Sequence, residues 1–305
     1  MAIKCYVLIT AARNEEDYIE KTIKSVLSQT LVPKRWVIVS DGSTDSTDAI
    51  VKDYSARFHF IQYERACGTS KRDFSSKVRA INMAYDGIRE LDFSFIGNLD
   101  GDVSFGSMYY ESILNEFEKN DKLGIGGGFV LEKNRGEFAG RSGNTVRSVA
   151  GAIQLFRREC YESIGGYRPL ELGGEDHAAE VMARMMGWEV EAFSGISVFH
   201  HRRTGTGQAN QFLVRFRNGV GEYVLGYHPL YELAKSVSRT FEKPYLVGSA
   251  LKLCGYWWAF LSRQKQALSP EFSEYFRKEQ IELLKSVLGN DKGHGDEGKS
   301  KNIHK

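Results

Sequence analysis

The chain has 305 residues, 42% of them hydrophobic, with 41 basic against 39 acidic side chains. That length holds one large or two modest domains with an ample core, and so balanced a charge gives no basic field of the kind that holds nucleic acid. The four cysteines (Cys5, Cys67, Cys160, Cys254) are scattered without CxxC or zinc-like spacing, and the first six residues lack the pattern of a signal peptide; both exclude a disulfide scaffold and point to reduced thiols in a cytoplasmic protein.

Tyr6-Val7-Leu8-Ile9 is a short apolar run, as a strand covered on both faces presents. Asn14 reads as a helix cap with Glu15, Glu16 and Asp17 in the first turn, where the helix dipole favours acids. Ile19, Ile23, Val26 and Leu27 then form one apolar stripe. Trp36-Val37-Ile38-Val39 is the next predicted strand, followed by a helix capped by Ser43 or Thr44 and carrying Ile50, Val51 and Tyr54. A strand at Phe58–Ile61, a helix around Lys77–Arg89 and a strand at Phe93–Ile96 continue the alternation. Repeats at this spacing predict βαβ units and a mainly parallel sheet flanked by helices.

From Gly124 the pattern changes. Gly124–Leu131 and Gly151–Phe156 read as strands around a loop rich in glycine and arginine. Gly174 precedes a helix with Ala178, Met182, Met185 and Met186 on one face, the methionines filling core. Val190–His200 is a further strand, leading into His200-His201-Arg202-Arg203. Beyond about Gly205 helical patterns take over. Tyr245 to Leu261 is apolar apart from Ser249 and Lys252, contains Tyr256-Trp257-Trp258, and falls short of a spanning helix. It reads equally as a core helix or as an in-plane membrane contact flanked by Arg239, Lys243, Arg263 and Lys265. The predicted organisation is a catalytic domain over 1–205, a helical region over 206–288 and a disordered tail over 289–305.

Four acidic motifs sit in this framework: Ala12-Arg13-Asn14-Glu15-Glu16, Ser40-Asp41-Gly42-Ser43-Thr44-Asp45, Leu99-Asp100-Gly101-Asp102 and Gly173-Gly174-Glu175-Asp176. Three follow predicted strands and the fourth opens a helix, which is where an open α/β sheet puts its ligand site. Asp100 and Asp102, two apart at the end of an extended segment, project to one side and offer two hard oxygen donors suited to Mg²⁺ or Mn²⁺ on phosphate oxygens. A carboxylate at Asp41 can accept from a nucleobase imide or a ribose hydroxyl. The dipole at the start of its helix keeps a carboxylate at Glu175-Asp176 ionised, as a base must be. His200 or His201, beside two arginines, is placed to complete a metal site or to meet phosphate oxygens.

Together these motifs resemble the inverting, nucleotide-sugar-dependent glycosyltransferases of family 2, which have the GT-A fold, a Rossmann-like mixed sheet. The resemblance runs from about Lys4 to Gly205. Thr10 to Glu16 resembles the family's N-terminal "NE" motif, Val39 to Asp45 its "DDGSTD" segment, and Lys77 to Ala84 its basic helix. Asp100-Gly101-Asp102 resembles the DxD motif, and Gly165-Gly166-Tyr167 leading to Glu175-Asp176 the acceptor-side "GG…ED" segment. The resemblance implies that Asp41 contacts the nucleotide base, that Ala12, Arg13 and Glu15 line the same pocket, and that Lys77 and Asp100 belong to the donor site. It implies that Asp102, assisted by Asp100, holds the divalent metal, with His200 or His201 as a third contact. Asp176 would deprotonate the acceptor hydroxyl and Glu175 orient it. The donor would be UDP-, GDP- or dTDP-linked; the acceptor would be a glycan or a lipid-linked precursor of the cell envelope or an exopolysaccharide, at the inner face of the membrane. Ser40 stands where the family has the first of its paired aspartates, and no proline precedes Asn14. Gln211–Phe216 matches the QxxRW segment of processive synthases only faintly, so a single addition is expected. Two other readings are a non-catalytic nucleotide-sugar-binding or assembly protein and a sugar nucleotidyltransferase; the latter is disfavoured by the absence of glycine from Thr10-Ala11-Ala12-Arg13.

Overall fold

The computed structural model describes residues 5–66, 74–134, 137–141, 144–202, 211–238 and 246–290. The chain forms two compact units, Met1–Ala209 and Asn210–Lys305. Residues 203–210, where the sequence places the boundary, and 291–305, most of the expected tail, lie outside the described residues, as does Cys67. The other three cysteines are free.

The first unit runs β1 (Tyr6–Ala12), α1 (Ile19–Leu27), β2 (Arg35–Ser40), α2 (Thr47–Arg57), β3 (Ile61–Arg65), α3 (Phe74–Ile88) and β4 (Phe95–Asn98). Then come β5 (Val103–Phe105), α4 (Tyr109–Lys119), β6 (Leu123–Asn134), β7 (Glu137–Gly140), β8 (Leu155–Arg157), α5 (Arg158–Ser163), α6 (Glu175–Met185) and β9 (Glu189–His200). The strands form a single sheet in the order β3-β2-β1-β4-β8-β6-β9-β5, with β7 paired to β6. The first four strands of that order are parallel, as the βαβ pattern requires. Beyond β4 the sheet is mixed: β8 is antiparallel to β4 and β6, β9 runs parallel to β6, and β5 antiparallel to β9. The expected α/β sheet is therefore observed, parallel only in its first half.

Tyr6–Ile9 and Trp36–Val39 are fully buried, which explains why these strands read as unbroken apolar runs rather than alternating ones. The Trp36 indole N–H donates to Thr10 Oγ1 at 2.9 Å, so neither buried polar group is left unpaired. The parallel strands of this half end on one side of the sheet, and three of the acidic motifs follow the ends of β1, β2 and β4.

Three local expectations are corrected. Asn14 does not cap a helix: it adopts a positive φ of 55°, its Oδ1 accepts from the Thr44 N–H at 2.9 Å, and α1 begins only at Ile19. Asp45, not Ser43 or Thr44, accepts from the Thr47 N–H at the start of α2, because the Ser43 hydroxyl accepts the Asn14 N–H and the Thr44 N–H donates to Asn14 Oδ1. In α6 the buried face is Ala178, Ala179, Val181 and Ala183, whereas Met185 and Met186 are exposed. Small residues let α6 approach the sheet closely; Met182 packs against the core as expected, whereas Met185 and Met186 stand at the helix's C-terminal end.

The second unit comprises α7 (Gln211–Leu225), α8 (Pro229–Ser238), α9 (Val247–Leu261) and α10 (Pro270–Asn290). Among the described residues no helix is long and apolar enough to cross a membrane. Lys252, the charge inside the apolar segment, points inward and bridges Glu222 at 2.8 Å and Glu232 at 3.1 Å, while Lys235 also reaches Glu222 at 2.7 Å. Glu232 is fully buried, and burial and the neighbouring Glu222 raise its carboxyl to about 7. The ion network keeps the lysine in the core and leaves Val247, Trp257, Trp258 and Leu261 on the outside of α9. Tyr245, Arg239 and Lys243 lie outside the described residues.

Candidate active site

The site grows from the ends of β1, β2 and β4 and from the loop after β9. Ala12 closes β1, and its carbonyl accepts the Asp41 N–H at 2.9 Å, tying the ends of the first two strands together. Asp41, nearly buried, accepts from Ser76 Oγ at 2.7 Å and lies 3.8 Å from the Arg13 guanidinium. A carboxylate braced between a hydroxyl and a guanidinium keeps one orientation, as hydrogen-bond recognition of a base edge needs.

Glu15 lies three residues beyond the end of β1. Its N–H donates to Thr47 Oγ1 at 2.8 Å, and its side chain reaches inward to the Arg202 guanidinium. Its Oε2 is buried and has no hydrogen-bond partner. Burial first, then the charge of Asp102, pushes the Glu15 carboxyl up to about 7, with Arg202 working against both. The same guanidinium donates its Nε–H to Asp102 Oδ2 at 3.0 Å. On the other side, Asp102 Oδ1 lies 3.2 Å from His200 Nε2. Burial alone would raise Asp102, but His200 and Arg202 overcome it and hold the carboxyl below the usual range. His200 in turn is raised: burial opposes its charge, and the hydrogen bond to Asp102 outweighs that. Three carboxylates, Glu15, Asp100 and Asp102, thus crowd one end of the sheet, and the surrounding cations relieve their repulsion.

The two histidines are separated by strand geometry. His200 is paired with Val103 across β9 and β5, which points its ring at Asp102. His201 turns the other way: its Nε2 is 2.8 Å from Ser104 Oγ, and its ring stacks on Tyr18 and meets the edge of Phe138. Burial and Lys21 lower its pKa.

Asp100 does not join Asp102. Its Oδ1 pairs with Lys77 Nζ at 2.6 Å. Burial disfavours the Lys77 ammonium, yet Asp100, Glu175 and Asp176 together hold it above the ordinary lysine range. Lys77 therefore sits between the two acidic clusters. Glu175 and Asp176 occupy the first turn of α6, after Gly174 with a φ of 92°. Glu175 is pushed up by burial and then by Asp176, with Lys77 opposing. Asp176 Oδ1 accepts the His177 N–H at 2.8 Å.

Every site residue expected from sequence is thus placed, with His201 and Asp100 turned to partners other than Asp102. Sequence reading passed over Ser76 and the buried pair Gln154 and Glu180, and did not foresee Arg202 as a clasp between two carboxylates. The signals were present: Gln154 is the polar residue in Ile153-Gln154-Leu155-Phe156, and Glu180 lies one helical turn beyond Asp176.

Among the described residues no group of three or more His, Cys, Asp or Glu side chains forms a ready metal cage. Asp102 and His200 nonetheless offer one hard oxygen and one imidazole nitrogen beside the unpartnered Oε2 of Glu15. Two protein donors fit Mg²⁺ or Mn²⁺, which complete their shells with phosphate oxygens and water.

The mixed α/β sheet, with acidic residues beyond the ends of its parallel strands, has the GT-A architecture. The model for "Glycosyl transferase family 2" matches residues 7–169, and the chain belongs to that family. Poly-beta-1,6-N-acetyl-D-glucosamine synthase of Staphylococcus epidermidis is 23% identical over 203 residues, covering 60% of this chain and 46% of that protein. The synthase of Staphylococcus aureus strain MSSA476 matches with the same identity and coverage. The chain thus spans about half the length of these curated relatives. In fold it is similar to mannosyltransferase PcManGT from Pyrobaculum calidifontis in complex with GDP-Man and Mn²⁺ (TM-score 0.52, 15% identity, 95% of this chain and 81% of that one). GalNAc-T7 with UDP, GalNAc and Mn²⁺ gives a TM-score of 0.58 at 13% identity, over 93% and 58% of the two chains. TarS 1-349 of S. aureus with UDP-GlcNAc gives 0.51 at 13%, over 89% and 78%.

Proposed function

We propose that this family 2 chain is a metal-dependent, inverting glycosyltransferase that moves one sugar from a nucleotide-sugar donor to an acceptor hydroxyl in exopolysaccharide or cell-envelope glycan synthesis. The observation that carries the reading is the pair of acidic clusters at one sheet edge, donor side at Asp41, Asp100 and Asp102 and acceptor side at Glu175 and Asp176, with Lys77 between them. Asp41, braced by Ser76 and Arg13, accepts from the base. Asp102 and His200 would hold the divalent cation, which would supply neutralisation of the charge that grows on the departing diphosphate. Lys77 and Arg202 add fixed positive charge there. Asp176 takes the acceptor hydroxyl proton, and Glu175 orients the acceptor.

Nucleoside diphosphate release from UDP-, GDP- and dTDP-sugars, with Mn²⁺ or Mg²⁺ and a membrane extract as acceptor source, tests this. One donor is expected to be turned over, and Asp102→Ala to lose about 100-fold or more of that rate. Metal-independent release, or release untouched by Asp102→Ala, would sink the metal-dependent reading. Donor binding without turnover of any sugar would favour a binding protein instead.

We also infer a peripheral membrane contact through the second unit. Its support is the apolar outer face of α9, with Trp257, Trp258 and Leu261 exposed beside Arg263 and Lys265. Trp257→Ser with Trp258→Ser should at least halve flotation of the full chain with vesicles containing anionic lipid. Equal flotation of both proteins removes the contact.

A further inference from the structure

The donor-side and acceptor-side acids lie on different elements, and one segment, residues 148–154, is fastened to both. Toward the donor side it extends the β4–β8 pairing: the Asn98 N–H donates to the Gln154 carbonyl at 2.9 Å, and the Asp100 N–H to the Ala152 carbonyl at 2.9 Å. The Asn98 side-chain amide also donates to the Gly151 carbonyl. The backbone that carries Asp100 is thus laced to this segment.

Toward the acceptor side the fastening runs through buried side chains. Glu180, on α6 four residues beyond Asp176 and 1% exposed, accepts the Val149 N–H at 2.6 Å and the Ser148 hydroxyl at 3.0 Å. Gln154, wholly buried, sits between: its amide N–H₂ lies 3.1 Å from the Val149 carbonyl, 3.3 Å from the Asp176 carbonyl and 3.2 Å from Glu180 Oε1. The Tyr167 hydroxyl donates to Gln154 Oε1 at 2.6 Å, which orients the amide. Tyr167 belongs to the Gly165-Gly166-Tyr167 motif, so the motif has a mechanical task here. Gly151 completes the fit, since a Cβ there would stand 2.5 Å from Asp176 Oδ2.

A buried carboxylate is costly unless its lone pairs are met by donors. Glu180 faces a helix–sheet contact that small or apolar side chains line elsewhere in α6, so helix packing does not call for it. What it does is receive the loop.

We infer that Gln154 and Glu180 are positioning residues that set the spacing between the donor carboxylates and Asp176. The inference rests on the reading of Asp176 as the base. In transfer, the acceptor oxygen bonds to the anomeric carbon while the bond to the diphosphate oxygen breaks. The diphosphate leaves with the electron pair and Asp176 takes the hydroxyl proton. If the spacing slips, donor binding survives, but water competes with the mispositioned acceptor at the anomeric carbon.

The test compares wild type, Glu180→Ala, Gln154→Ala, Glu180→Gln and Asp176→Asn on the donor turned over in the panel, with a membrane extract as acceptor source. Transfer and donor hydrolysis are measured separately, with donor KM and thermal unfolding alongside. The two alanine variants should keep donor KM within about 2-fold, lose transfer kcat by about 10- to 100-fold, and raise the ratio of hydrolysis to transfer. Glu180→Gln, which still accepts the Val149 N–H, should restore most of what Glu180→Ala loses, and it stands in if the alanine variant does not fold. A parallel loss of donor KM and transfer, or an unchanged hydrolysis ratio in the folded variants, overturns the positioning role. Undiminished transfer by Asp176→Asn would instead overturn the base assignment beneath it.

Discussion

Asp176→Asn is expected to lower sugar transfer by about 1000-fold while donor binding and folding persist. The amide keeps the size of the side chain and can still accept the His177 N–H, so the first turn of α6 has no reason to change. What it loses is the capacity to receive a proton. Attack on the anomeric carbon then has to shed that proton to water, and the general-base contribution of about 10²- to 10⁴-fold disappears. The geometry around Asp176 makes the loss specific. Gly151 stands against the carboxylate, leaving no room there for a side chain, and Lys77 fixes positive charge between this group and Asp100. Glu175 is the natural substitute base, but burial and the charge beside it raise its carboxyl, so a larger share of it is protonated than for an exposed glutamate. Transfer and donor hydrolysis measured on the same preparation, with calorimetric donor binding, decide the matter. Retention of more than about a tenth of the transfer rate would mean that Asp176 is not the base.

Much of this candidate site was legible in the sequence. Wherever a fully buried strand stops, its apolar run ends abruptly, and the first polar residues beyond lie at the sheet edge. Asp41 and Asp100 were found that way, and Glu175 and Asp176 because acids beside glycine open a helix. The resemblance to family 2 then ordered them. What stayed hidden depended on pairings between distant residues. Nothing in His200-His201 says which ring faces Asp102, because adjacent strand residues point to opposite sides and only the register of β9 against β5 chooses. Arg202 clasps Glu15 across 187 residues of chain. Asn14 looked like a helix cap because asparagine serves that purpose well. It serves equally well at positive φ, and here its side chain is spent on Thr44.

Lys252 teaches the same lesson for the second unit. Along the sequence it interrupts an apolar stretch. In space it is the cation that two acids, Glu222 on α7 and Glu232 on α8, converge upon. The polar partners were thirty and twenty residues away in sequence, invisible to any window placed on the helix itself. Its burial also settles which face of α9 is left outward, and that face is the apolar one.

The same helix pair supplies a second large effect. Gly219→Ala and Gly255→Ala should each destabilise the second unit, although an alanine in an open helix is worth about 1 kcal/mol more than glycine. The expected sign is reversed by where the new methyl group would go. A Cβ on Gly219 of α7 would overlap the backbone carbonyl oxygen of Lys252 on α9, and one on Gly255 of α9 would overlap that of Phe216 on α7. The overlap is reciprocal and involves backbone on both sides, so no rotamer change relieves it. The helices must separate, which loosens the contacts of Lys252 with Glu222 and the packing of Phe216 against Trp258. Overpacking of this kind costs about 1–3 kcal/mol. For a unit of this size that lowers its unfolding transition by several degrees or more, at about 4–8 °C per kcal/mol. Thermal unfolding of the full chain by calorimetry reads it, since Trp36 and Trp188 of the first unit share the fluorescence with Trp257 and Trp258. The double variant should fall short of the sum of the two, because helices parted by the first methyl group no longer oppose the second. A rise in the transition with either alanine would mean that α7 and α9 do not meet backbone to backbone.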